Sequence, residues 1–168
     1  MAFLVGGFVY FAFRLPLYAS LLMGAVLCST DAASVFNVLR SKNLALKQNT
    51  DSLLEVESGS NDPFSYMLTL ILSALCMQES VQIPWMLVQQ LGFGVLVGVL
   101  TAKGVLFLLH QMDQLSSAER TILLFAASLL SYACAYALGG NGYLSVYLCG
   151  IMMGNSFVPD KKRYGSFF

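Results

Sequence analysis

Three apolar stretches, residues 18–39, 53–77 and 84–109, are each longer than the ~20 residues a helix needs to cross a bilayer's hydrocarbon core. Three shorter ones flank them, at residues 1–13, 121–138 and 143 to about 158. No stretch alternates polar and apolar residues as a barrel strand does. The pattern predicts an all-α polytopic membrane protein with about six transmembrane helices. Composition agrees: 57% of the 168 residues are hydrophobic and 11% charged, against about 25% charged in a soluble domain. With so little polar surface, lipid must serve as part of the solvent. The formal net charge is zero, so charge gives no reason to expect a nucleic-acid partner.

Orientation follows from lysine and arginine. Arg40, Lys42 and Lys47 follow the second stretch, Lys103 and Arg120 lie around the end of the fourth, and Lys161, Lys162 and Arg163 form the tail. Alternating crossings place all eight on one face and leave Arg14 alone on the other. The positive-inside rule makes the basic face, with loops 40–52 and 161–163, cytoplasmic. The chain opens directly in an apolar run, with no basic n-region or cleavage signal. It therefore reads as an internal fragment of a longer protein. Cys28, Cys76, Cys134 and Cys149 sit singly in apolar runs and read as small packing residues. Gly94 with Gly98, and Gly150 with Gly154, are small-xxx-small pairs that predict close helix packing.

The chemistry lies where charge interrupts the apolar runs. Asp31 falls near the middle of residues 18–39, preceded by Ser29 and Thr30. A charge at that depth costs at least ~2.5–3.5 kcal/mol, so it is retained for a reason. Hydroxyls beside it compete for backbone hydrogen bonds, and the sequence fits a helix broken around Thr30 and Asp31. Glu55, Glu57, Ser58, Asn61 and Asp62 fall within eight residues of the next run. Glu55 lies near the cytoplasmic end, where water can reach it. On a helix Ser58 and Asp62 share one face, and Glu57 and Asn61 the adjacent one. Pro63 has no amide hydrogen and deprives the Gly59 carbonyl of its helical donor. Asp31 lies about 8 residues from the end of its run and Asp62 about 9 from the start of the next, which places them at similar depth. Carboxylates, hydroxyls and freed carbonyls are hard oxygen donors suited to an alkali cation. A carboxylate also takes a proton, and competition between the two at one site is the physical core of antiport.

Those residues, GAVLCSTDAASVFNVLR followed by LLEVESGSNDPFSYML and later by ERTILLFAASLLSYACAYALGGNGYLSVYLCGIMMGN, resemble the bacterial NhaP-type monovalent cation/proton antiporters. The likeness is greatest to the potassium/proton branch linked to cell-volume regulation, and it covers nearly the whole chain. It implies that residues 1–168 are part of a sodium/hydrogen exchanger transmembrane domain, an inverted-repeat fold. It implies Asp62 as the main cation- and proton-binding carboxylate, with Asp31, Thr30 and Ser58 completing the alkali-cation site. Asn61 stands where asparagine goes with electroneutral exchange, and Glu57 becomes a structural acid paired with an arginine from a later helix. Pro63, where sodium-exchanging relatives usually have glycine, leans toward potassium. The resemblance further implies a bacterial inner-membrane location, a homodimer, no cofactor, and K+ or Na+ and H+ as transported ions. Such a family has about twice as many spans, so a missing downstream half is expected, and with it the arginine partner of Glu57.

Two other readings compete. An intramembrane aspartyl protease would use Asp31 and Asp62 as a dyad sharing a proton. Such enzymes resemble one another through Tyr-Asp and Gly-x-Gly-Asp motifs, and neither occurs here. A non-transporting remnant is the other. The expectation is therefore a transporter and not an enzyme.

Overall fold

The computed structural model describes residues 1–29, 34, 35, 38, 50–78, 82–111 and 116–156. These residues form six helices of ten residues or more and no strand: α1 Ala2–Phe13, α2 Leu17–Val26, α3 Thr50–Cys76, α4 Ile83–Gln111, α5 Ser117–Ala137 and α6 Gly142–Asn155. The chain divides into two compact units, Met1–Leu87 and Val88–Phe168.

Local chemistry sets most helix ends. α1 stops at Arg14, whose left-handed backbone (φ 52°) returns its N–H to the Tyr10 carbonyl at 3.0 Å. Pro16 then starts α2, where a missing amide hydrogen costs nothing. α5 opens on a reciprocal capping box: the Ser116 hydroxyl accepts from the Glu119 N–H while the Glu119 carboxylate accepts from the Ser116 N–H. The expected turn at residues 139–142 is present. Gly139 supplies a φ of +75°, and the Asn141 side chain caps α6 by accepting from the Leu144 N–H at 3.1 Å.

Sequence and structure part at the second apolar stretch. A helix broken around Thr30 and Asp31 was expected within 18–39; those two residues lie outside the described ones, but α2 already ends at Val26 after 10 residues, Leu27 and Cys28 form a turn, and Ser29 is not helical. Ser34, Val35 and Val38 are helical again. α3 runs 27 residues, straight through Pro63, and at about 1.5 Å per residue reaches about 40 Å.

In the first unit, α1 packs on α2 through glycine. A β-carbon on Gly24 would overlap the Ala2 carbonyl, and one on Gly6 would come within 2.9 Å of the Leu21 backbone. In the second, Gly94 and Gly98 of α4 admit the Asn141 and Ser145 backbones of α6, a β-carbon on Gly98 falling 2.6 Å from the Ser145 carbonyl oxygen. This pair packs as expected. For Gly150 and Gly154, a β-carbon meets nothing within 4 Å among the described residues. Beside the Gly98 contact, hydroxyls link three helices: Thr101 donates to Ser131 at 3.0 Å, and Ser131 and Ser145 share a bond of 2.7 Å.

Small and polar residues make up the fully buried positions, beside buried apolar residues such as Met67, Leu72, Val105 and Leu109, and many large apolar residues are exposed. The largest fully buried side chains are Asn141, Cys149, Ser20, Ser131 and Ser145, while Phe3, Phe11, Trp85, Phe107 and Phe125 are mainly exposed. α4 and the stretch Ala118–Ala137 are each long and apolar enough to cross a membrane, yet only 28% and 22% of their most apolar windows are buried.

Candidate functional site

The site forms where α3 crosses the end of α2. The last carbonyls of any helix lack intrahelical donors. They are commonly satisfied by a following glycine in the left-handed conformation, but Leu27 is right-handed (φ −81°, ψ −4°) and no glycine follows it. Side chains of α3 supply donors instead. The Ser65 hydroxyl donates to the Ala25 carbonyl at 2.6 Å, within the buried interior. Four residues earlier on the same face, the Asn61 amide donates to the Cys28 carbonyl at 2.9 Å. The Cys28 thiol faces the Asn61 side-chain oxygen at 3.9 Å.

These contacts place Ser29 against Asp62, and its hydroxyl donates to the carboxylate. Asp62 is half-buried and is the thirteenth residue of the 27 in α3, about halfway along the helix. Ser58 lies one turn earlier on the same face and is also half-buried. Pro63 leaves the Gly59 carbonyl without its helical donor one turn before Asp62. A carboxylate and a hydroxyl therefore meet at one non-helical turn. Oxygen donors of this kind are chemically suited to a small hard cation or a proton.

Of the residues singled out from sequence, Asp62 and Asn61 come together with the unwound turn. Ser58 joins them by its place on α3. Thr30 and Asp31 lie outside the described residues. Glu57 is exposed, with no ion-pair partner among the described residues. No cluster of three or more metal-ligating His, Cys, Asp or Glu side chains occurs among the described residues. Ser65, Cys28 and Ala25 were not anticipated. Ser29 was noted only as a hydroxyl beside the acid. A signal for Ser65 exists: Ser58, Asn61, Asp62, Ser65 and Thr69 make a polar stripe at helical spacing along α3.

Outside this site Arg120, near the start of α5, is a buried charged residue. Lys103 and His110 are exposed on α4, and the His110 ring nitrogen Nδ1 lies 2.8 Å from the Leu106 carbonyl of its own helix.

The chain belongs to the transmembrane sodium/hydrogen exchanger family, whose signature matches residues 1–164. It is 36% identical over 157 residues to the K(+)/H(+) antiporter NhaP2 of Shewanella sp. (strain ANA-3), which covers 90% of this chain and 26% of that protein. It is 36% identical over 144 residues to the K(+)/H(+) antiporter NhaP of Alkalimonas amylolytica, covering 83% and 25%. It is 29% identical over 147 residues to the Na(+)/H(+) antiporter ApNhaP of Aphanothece halophytica, covering 84% and 27%. The chain thus spans about a quarter of the length of the curated relatives it matches. These relatives are named as antiporters and not as enzymes, and the family is one of integral membrane proteins. No solved structure matches the chain significantly.

Proposed function

We propose that the protein exchanges a monovalent cation, K+ before Na+, for protons, and that Asp62 carries both in turn. The observation that supports this best is the hydrogen bond between Ser29, on the turn after α2, and the Asp62 carboxylate halfway along α3. The acceptor there is a carboxylate that a cation and a proton must compete for. Ser58 and the Gly59 carbonyl supply further oxygen from α3, Thr30 and Asp31 complete the cation's shell, and Asn61 holds the turn in place. The ions are substrates, and the exchange needs no cofactor. The two relatives at 36% identity are named for K+ and the one at 29% for Na+, which favours potassium.

In this reading residues 1–168 belong to an exchanger transmembrane domain whose six helical segments all take part in crossing the bacterial inner membrane. Basic loops 40–52 and 161–163 face the cytoplasm, Glu57 pairs with an arginine from a later helix, and the full-length protein forms a homodimer. α1, α2 and α6 have 12, 10 and 14 residues, so each crosses as part of a discontinuous or tilted element.

Everted membrane vesicles from an antiporter-deficient host test the proposal. With a respiration-driven pH gradient reported by a quenched amine dye, adding K+ or Na+ to wild-type vesicles restores fluorescence. Asp62→Asn, which keeps the shape and removes the charge, abolishes that response at equal protein abundance. A response retained in Asp62→Asn rejects the proposal.

A further inference from the structure

We propose that Ser65 is a positioning residue of the ion site, because its hydroxyl ends α2 in trans and thereby releases Ser29 to face Asp62. The inference rests on the functional reading above and extends it to a residue outside the oxygen set. The first observation is that α2 ends at Val26, ahead of the hydroxyls and carboxylate at Ser29–Asp31 where the sequence fits a break. Residues 25–28 are Ala-Val-Leu-Cys, without glycine or proline, and the Leu27 backbone is still right-handed.

The second observation concerns the Ala25 carbonyl. In a continued α-helix it would accept from the N–H of Ser29, four residues on. Here it accepts from the Cys28 N–H at 3.2 Å and from the Ser65 hydroxyl at 2.6 Å. A carbonyl oxygen has two lone pairs, and both are taken. The tight three-residue turn and the side chain from α3 together exclude the bond that would carry the helix through Ser29. Ser29 therefore leaves the helical ladder at the position from which its hydroxyl reaches Asp62.

The third observation is that Ser65 is only 7% exposed and its bond is directed away from its own helix. A serine in a membrane helix commonly bonds back to the carbonyl four residues earlier, as Thr69 does to Ser65 at 2.8 Å. Ser65 instead reaches across to α2.

The test compares Ser65→Ala, Ser65→Thr, Ser65→Cys and Asp62→Asn in the same everted vesicles, measuring membrane abundance, maximal exchange rate and half-saturating K+ at several pH values. Ser65→Ala is expected to raise half-saturating K+ about fivefold, the effect of losing one neutral hydrogen bond, with maximal rate and abundance kept. Ser65→Thr restores the wild-type value. An unchanged half-saturation in Ser65→Ala, or a failure of threonine to restore it, overturns the proposal. Should Ser65→Ala reduce abundance, the threonine and cysteine variants decide. The thiol is a weak donor, so it raises half-saturation relative to threonine, and equality between them also overturns the proposal. Exchange that survives Asp62→Asn removes the functional reading itself. Loss of exchange there, with normal half-saturation in Ser65→Ala, removes only the role of Ser65.

Discussion

At the scale of single residues, the site depends on side chains of α3 answering a backbone that α2 cannot satisfy alone. Asn61 and Ser65 sit one turn apart and take the Cys28 and Ala25 carbonyls, while Asp62 between them takes the Ser29 hydroxyl. Ser29→Ala removes a donor to the ionised carboxylate, a contribution of about 1.5–3 kcal/mol. The expected outcome is a higher half-saturating K+ with Asp62 still essential, measured from K+-dependent fluorescence recovery. Asp62 and Asn61 were legible from sequence, because a carboxylate in an apolar run demands an explanation. Ser65 was not, because an isolated serine in a membrane helix is most often simple packing, and only the crossing of α2 tells which hydroxyl meets a carbonyl.

At the scale of elements, helices approach one another through residues that lack bulk. Gly98→Val would drive side-chain atoms into the Ser145 backbone, already 2.6 Å from a single β-carbon, and overpacking of this kind costs about 1–3 kcal/mol. Gly104 on the same helix meets nothing within 4 Å, so Gly104→Ala is expected to be neutral or stabilising by up to about 1 kcal/mol through helix propensity. Thermal unfolding of the purified protein in detergent checks both: the melting temperature falls by several degrees for Gly98→Val and is unchanged or higher for Gly104→Ala. Five of the six helices were readable as apolar runs with recognisable ends, such as the Ser116–Glu119 capping box and the glycines at 139–142. A break after α2 was legible from the hydroxyls and carboxylate at Ser29–Asp31, but the α3 side chains that take its carbonyls, 33 and 40 residues away, were not.

At the scale of the whole molecule, the distribution of residues is that of a chain dissolved in lipid. Buried serine and asparagine with exposed phenylalanine reverse the order of a water-soluble core. This much was legible from composition alone. The asymmetry of basic residues gives the proposed orientation a direct check. In a cysteine-free background, Lys42→Cys is expected to react with a membrane-impermeant maleimide only in everted vesicles, and Arg14→Cys only in intact cells or right-side-out vesicles. Labelling of both from the same side contradicts the proposed topology.

The central claim is that a proton and a monovalent cation compete for Asp62, and proton release on cation binding measures it most directly. Purified protein in weakly buffered detergent solution, with a pH indicator and no ion gradient, is titrated with KCl and, as control, with choline chloride. The prediction is that K+ releases protons in a saturable way, choline does not, and Asp62→Asn releases none. Proton release that persists undiminished in Asp62→Asn, or a wild-type protein that releases no proton on binding K+ or Na+, would contradict it.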